Sequence, residues 1–370
     1  MNILYIARST IPSREANSIQ VMKMCQAFAQ NGHKVMLLVT NKQQTPDGDI
    51  DNIYTAYGVK ECFTIQRLPS DHKKARAFFE IIGIKKTLAA FKPDLVYGRC
   101  SFGCTIACMN GYHTIYEAHG PIWSSSTLKK YGFLLLSRNK NFKRLIVISE
   151  ALKKLYINEK IITTDKIYVA HDGADEITDF DTKVKLHGKS NKLNIGYSGH
   201  LYTGKGMEVI TKIAPLAKEF NFHIVGGTEK DIAYWKSVIS TDNVYFYGFL
   251  PQNDVAKYIN SFDICLLPNQ KLVLPCGTQD TKRNISDFTS PLKMFEYMAH
   301  KKAIIASDLP VLREVLNSSN SQLVPCDDIN GWLSALDNFK DLQKREVVAQ
   351  QAYSDFMQTY RWKKRAKLVL

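Results

Sequence analysis

Short apolar runs alternate with helix-period segments along the whole chain. NILYIA (2–7) reads as a buried strand. SIQVMKMCQAFAQNG (18–32) places apolar side chains three and four apart and stops at Gly32, the pattern of an amphipathic helix. HKVMLLVT, FTIQRL, DLVYGR, HTIYEAH, RLIVIS and KIYVAHDGAD follow as further strands, with helical stretches near 74–91 and at EALKKLYI (150–157). The polar stretch 179–192 has no hydrophobic period and reads as a linker. Beyond it the scheme repeats through LNIGYSG, FHIVGG, VYFYGF, DICLLP, KAIIASD and QLVP. Alternation of this kind predicts parallel sheets covered by helices. The expected fold is α/β, with two Rossmann-like doubly wound domains, 1–185 and 186–354, facing across a cleft. A ligand is expected between them at the carboxyl ends of the strands. The segment 271–290 lacks any period and reads as a loop over a site, and YSDFMQTYRWKKRAKLVL (353–370) reads as a closing basic amphipathic helix.

Composition adds bounds. A chain of 370 residues, 45% hydrophobic and 23% charged, suits about two globular domains. No apolar run reaches the ~18 residues of a membrane-spanning helix. MNILYIARS lacks a basic leader, so a cytoplasmic protein is expected. The eight cysteines then read as free thiols. Cys100, Cys104 and Cys108 stand four apart, which suits either a metal cluster or one helix face packed on a sheet; no fourth ligand is nearby, and packing is the expectation. The net charge is +14, and residues 1–190 hold 27 basic against 17 acidic side chains. Lysine and arginine alternate with Phe, Leu and Ile in 72–86, 128–144 and 152–154. That pattern suits an anionic membrane surface or an anionic lipid-linked substrate. It predicts peripheral attachment at the inner face of the plasma membrane. No nucleic-acid-binding motif occurs, and nucleic acid is not an expected partner.

Candidate chemistry gathers in GYSGHLYTGKG (196–206). Gly199, four residues, Gly204 and Lys205 approach a P-loop, but Gly206 stands where a magnesium-binding Ser or Thr would be needed. A glycine loop between strand and helix still offers amides, a helix dipole and the Lys205 charge to a phosphate. A second group lies in SPLKMFEYMAHKKAIIASDLP (290–310). Ser290 as N-cap and Pro291 at the first position predict a helix start that faces an anion. Glu296, two turns in, can accept two ribose hydroxyls.

These stretches, with YGFLPQNDV, YEAHG and IVISEALKK, resemble glycosyltransferase family 4, retaining enzymes of the GT-B fold. The resemblance spans nearly the whole chain. It implies a nucleotide-sugar donor and a bacterial surface-glycan or lipid-linked acceptor. It makes Lys205 the diphosphate clamp, with Ser290, Pro291 and Leu292 beside it. Glu296 would bind the ribose, Tyr247 to Phe249 would face the base, and His119 would sit by the transferred sugar. The closing helix 355–370 would pack back on the first domain. Three departures stand out. Phe288 occupies the position of a first glutamate, with Asp287 one residue off. His200 replaces an Arg often found before the clamp. ANSIQ (16–20) replaces a glycine pair, with Asn17 and Ser18 expected as caps near the phosphates. No cofactor or metal is expected, since a lysine and amides can meet the leaving diphosphate. DGDID (47–51) and DFD (179–181) mimic a metal-binding DxD and are read as surface loops. Two other readings bear comparison. A nicotinamide dehydrogenase needs GxGxxG after a strand, and none occurs. The missing first glutamate leaves room for a non-catalytic nucleotide-binding or scaffolding protein of the same fold.

Overall fold

The apolar runs fold into parallel strands. A computed structural model describes residues 1–40, 52–68, 76–274 and 284–370. It divides into two units, one of Met1–Asp172 with Trp362–Leu370, the other of Gly173–Arg361. In the first unit the strands are β1 (Asn2–Ala7), β2 (Lys34–Val39), β3 (Thr64–Arg67), β4 (Leu95–Gly98), β5 (Thr114–Ala118), β6 (Phe142–Val147) and β7 (Ile167–Val169). Their order is β3-β2-β1-β4-β5-β6-β7. The second unit holds β8 (Leu193–Ser198), β9 (Phe220–Val225), β10 (Val244–Gly248), β11 (Ile264–Leu267), β12 (Ala303–Ser307) and β13 (Gln322–Val324). Their order is β10-β9-β8-β11-β12-β13.

Both orders reverse beside the first strand of the sheet, between β1 and β4 and between β8 and β11. A crevice opens at such a point because the flanking connections leave on opposite faces. The segments after β8 and β11 therefore meet at the switch point of the second sheet. Central strands are covered on both faces, so β1 and β5 are buried almost throughout. This burial also encloses Glu117, the one carboxylate in TIYEA.

Several expectations resolve here. The polar stretch 179–192 is fastened to the second unit: Asn260 Nδ2 donates to the carbonyls of Asp179 (3.1 Å) and Thr182 (3.0 Å). Asp179 of DFD closes a local turn by accepting from the amides of Asp181 and Thr182. DGDID falls outside the described residues, as does the middle of the 271–290 loop. Cys100, Cys104 and Cys108 are buried along the Ser101–Met109 helix, and burial pushes all three thiols up. Cys104 Sγ lies 3.0 Å from where a Cβ on Gly98 would stand, so the sulfur packs directly on β4.

The closing stretch is not one helix. Helix Leu342–Asp355 continues as a π turn over Phe356–Tyr360, and Arg361 then adopts an extended conformation. A separate helix, Trp362–Leu368, follows and packs on helix Ala16–Gln30, with Asn31 Nδ2 donating to the Lys363 carbonyl at 2.8 Å.

Candidate functional site

The first unit gathers its chemistry around Glu117. Its side chain is fully buried, so an ionised carboxylate there needs partners. It has five contacts. Oε1 accepts from Gln20 Nε2 (2.7 Å), His119 Nε2 (2.5 Å) and Arg365 Nη2 (3.0 Å). Oε2 accepts from the Tyr97 hydroxyl and from Arg365 Nη1 (3.2 Å). Burial alone would raise the Glu117 carboxyl. The Arg365 charge and the His119 hydrogen bond outweigh it and hold the group well below the usual carboxylate range. Arg365, equally buried, is further fixed by the carbonyls of His171 (2.8 Å) and Ala170 (3.0 Å).

His119 follows β5 directly, and its side chain is 19% exposed. With Nε2 donating to Glu117, Nδ1 is left as an acceptor, 3.9 Å from Asp172 Oδ2. Burial and then the charge of Arg99 lower its pKa; Asp172 and Glu117 oppose this. The imidazole is therefore biased towards its neutral form. Ligand atoms of Glu117, His119 and Asp172 lie within 4.8 Å of one another, a spacing a cation could use. The Arg365 guanidinium already lies there, bonded to Glu117 and 3.9 Å from Asp172, so positive charge is supplied from within.

Asn17 and Ser18 do not cap their helix. It starts at Ala16 with Glu15 as N-cap, so both lie inside the first turn. Ser18 Oγ turns back to the carbonyls of Ser13 (3.0 Å) and Glu15 (2.9 Å), and Asn17 Oδ1 accepts from Ser9 Oγ (2.6 Å). Inside a first turn, a short hydroxyl reaches preceding carbonyls more readily than the amides ahead.

In the second unit, Gly199 leaves β8 at φ +137°, a conformation that favours glycine. The loop then carries half-buried His200 and Lys205, whose Nζ lies 5.3 Å from the Tyr202 ring centroid. The loop amides differ from expectation. Gly204 N–H and Gly206 N–H both donate to the Glu208 carboxylate, at 2.7 and 3.2 Å. Glu208 sits in the first turn of the short helix Met207–Ile213 and takes the place an anion would fill. The charge of Lys205, rather than these two amides, is what the loop offers a phosphate.

The second predicted helix start is also displaced. Helix Leu292–Ala299 has Pro291 as N-cap, in an extended conformation, and no side chain caps it. Ser290 is buried one residue further out. The proline ring offers no acceptor, so the N-cap residue itself caps none of the first amides. Glu296 accepts from Gln252 Nε2 at 2.7 Å. Tyr247, on edge strand β10, turns its hydroxyl to His223 Nδ1 (2.9 Å) and accepts from the His187 amide (3.1 Å). Phe249, past the strand end, is 45% exposed. Phe288 is buried.

Two family profiles cover most of the chain. Glycosyltransferase Family 4 matches residues 18–176, and Glycosyl transferases group 1 matches residues 192–340. The chain belongs to glycosyltransferase family 4. Solved structures agree on its GT-B fold. Sucrose-phosphate synthase from Thermosynechococcus elongatus aligns with a TM-score of 0.74 at 14% identity, covering 100% of this chain and 97% of that one. HepE from Anabaena, in complex with UDP and glucose, gives 0.71 at 14% identity, covering 100% and 98%. The lipopolysaccharide outer core galactosyltransferase WaaB gives 0.65 at 16% identity, covering 100% and 99%. No curated protein sequence matches the chain.

The residues of this glycosyltransferase that sequence reasoning missed are Glu117, Arg365, Gln20, Arg99 and Gln252. Arg99 donates to Gln20 Oε1 at 2.8 Å, which extends the Glu117 network by one layer. One signal was available: a carboxylate inside an apolar strand must find a cation, and an arginine among the lysines of WKKRAKL suits a buried fork.

Proposed function

We propose that this glycosyltransferase moves a sugar from a nucleotide-sugar donor, with retained anomeric configuration, to a bacterial surface-glycan or lipid-linked acceptor. One observation carries the donor assignment: Lys205, after β8, and helix Leu292–Ala299, after β11, flank the switch point of the second sheet, and Gln252 bonds Glu296 of that helix. Cationic and amide groups there suit a diphosphate, and a carboxylate oriented by an amide suits ribose hydroxyls. HepE was solved with UDP and glucose, which illustrates this donor class. The base rests on the chain from Tyr247 to Phe249. His119, neutral and donating to Glu117, accepts a sugar hydroxyl through Nδ1 and orients the ring. His200 adds to the clamp when protonated. Asn17 and Ser18 are proposed to approach the phosphates through the start of their helix rather than as caps.

In the proposed step the bond between the anomeric carbon and the diphosphate oxygen breaks. The acceptor oxygen bonds to that carbon on the same face, and its proton passes to the departing phosphate. Lys205 offsets the growing negative charge, so the reaction needs no metal or other cofactor. The basic first unit brings the enzyme to an anionic membrane surface, where a lipid-linked acceptor resides.

The test is release of nucleoside diphosphate from a panel of nucleotide sugars, with and without acceptor lipids. Lys205→Ala is expected to lower turnover about 10²–10³-fold, as for loss of one oxyanion donor. Turnover near that of the unaltered enzyme would remove the clamp. Product of inverted configuration by NMR would overturn retention.

A further inference from the structure

Lys293 is placed where a lysine is costly. Its Nζ is buried and has no hydrogen-bond partner among the described residues. The ammonium lies 3.7 Å from the Tyr197 ring centroid, a cation–π contact. Loss of hydration is the larger effect, and the ring does not offset it. Lys205, a second positive charge, acts on it and adds to the cost, while Glu296 opposes. Burial and the Lys205 charge together push the Lys293 ammonium well below the ordinary lysine range. Two cations that act on each other are each destabilised unless an anion lies between them.

Two further features converge at this place. Gly199 has no side chain, and a Cβ there would stand 3.0 Å from Lys293 Nζ and 3.2 Å from its Cε. The glycine therefore leaves room for the lysine as well as for its own φ. Lys293 is also the second residue of helix Leu292–Ala299, whose N-cap, Pro291, supplies no capping side chain. A helix start with a proline N-cap and an unpartnered ammonium on the same turn together suit a bound anion.

We infer that Lys293 is a second cation for the donor diphosphate, meeting the phosphates together with Lys205. The inference rests on the nucleotide-sugar reading and deepens it. It divides the leaving-group charge between the loop after β8 and the Leu292–Ala299 helix. It also accounts for a lysine that weakens the empty protein: the strain is relieved on loading.

The experiment separates the two ideas. UDP, GDP, ADP, CDP and dTDP are titrated calorimetrically into the full-length protein, and the tightest is then titrated into Lys293→Met. Methionine keeps most of the stem volume and removes the charge. The expected result is affinity at least 10-fold weaker, with a thermal midpoint of the empty protein equal to or above that of the unaltered chain. Affinity within threefold overturns the inference and leaves the donor reading intact. A lower midpoint makes Lys293 a structural residue and overturns it too. Should Lys293→Met fail to fold, Lys293→Gln is read by the same two criteria. If none of the five diphosphates binds the unaltered protein, both the donor reading and the inference fall.

Discussion

His300 and His223 carry the acid sensitivity of the second unit. Both are buried and bonded to asparagines: His300 Nδ1 donates to Asn260 Oδ1 at 2.7 Å, and His223 Nε2 meets Asn194 Oδ1 at 2.9 Å. Burial, then the nearby Lys302 charge, takes His300 down to about 3; burial, then His187, takes His223 down to about 4. An unfolded histidine takes up its proton near pH 6.5. Both folded values lie below that, so the stability from keeping these rings neutral is full above about pH 6.5 and is lost as pH falls towards the folded values. Between pH 6.5 and 5 each ring should withdraw about 2 kcal/mol, at 1.36 kcal/mol per pH unit. Urea denaturation at pH 7.5 and pH 5 measures this. His300→Gln is expected to remove about half of the drop, and an unchanged drop would show that other groups govern acid stability. At this scale, legibility from sequence followed exposure of the chemistry. Lys205 and Glu296 stand in recognisable spacings, whereas Glu117 and Lys293 matter because of what surrounds them, and no local spacing encodes that.

At the scale of elements, strands were easier to read than helix ends. A buried parallel strand announces itself as an apolar run, and each named strand overlaps one. Helix starts depend on which residue leaves the helical conformation, and here Glu15 and Pro291 did so in place of the expected Asn17, Ser18 and Ser290. The closing helix shows the same limit: the break at Arg361 lies inside a continuous amphipathic pattern. Its short last piece nonetheless matters, because Trp362–Leu368 delivers Arg365 to Glu117. Arg365→Met should cost about 3–5 kcal/mol of stability in the first unit, since it leaves a buried carboxylate without its cation. Glu117→Gln combined with Arg365→Met should be more stable than Arg365→Met alone, because no orphan charge remains. Guanidinium denaturation of the unaltered protein, of Glu117→Gln, of Arg365→Met and of the double variant tests this. Simple addition of the two single losses would mean that the pair is not coupled, and that helix Trp362–Leu368 docks for other reasons.

The whole molecule is electrostatically lopsided. Met1–Asp172 with Trp362–Leu370 holds 28 basic against 13 acidic side chains, while Gly173–Arg361 holds 21 against 22. The first unit thus carries the entire positive excess. It also presents bare apolar groups: Leu128, Tyr131 and Leu135 lie three and four apart along helix Thr127–Ser137 and are 80%, 61% and 69% exposed. Phe133 and Leu136 of the same helix are buried, so its apolar surface exceeds what the core uses. Phe78 and Phe79 are exposed near the start of helix Arg76–Phe91, and Met109 at the end of helix Ser101–Met109. Cationic charge next to protruding Leu and Tyr is the combination that holds a protein at an anionic bilayer: charge attracts at a distance and apolar side chains insert. No helix among the described residues is long and apolar enough to cross a membrane. Leu128→Asp with Leu135→Asp forfeits roughly 1.5–3 kcal/mol per inserted leucine. Sedimentation with vesicles containing phosphatidylserine should therefore fall at least tenfold in the double variant, and fall with added salt in the unaltered protein. Equal pelleting with purely zwitterionic vesicles would remove charge from the argument. Unchanged pelleting of the double variant would remove this helix from it.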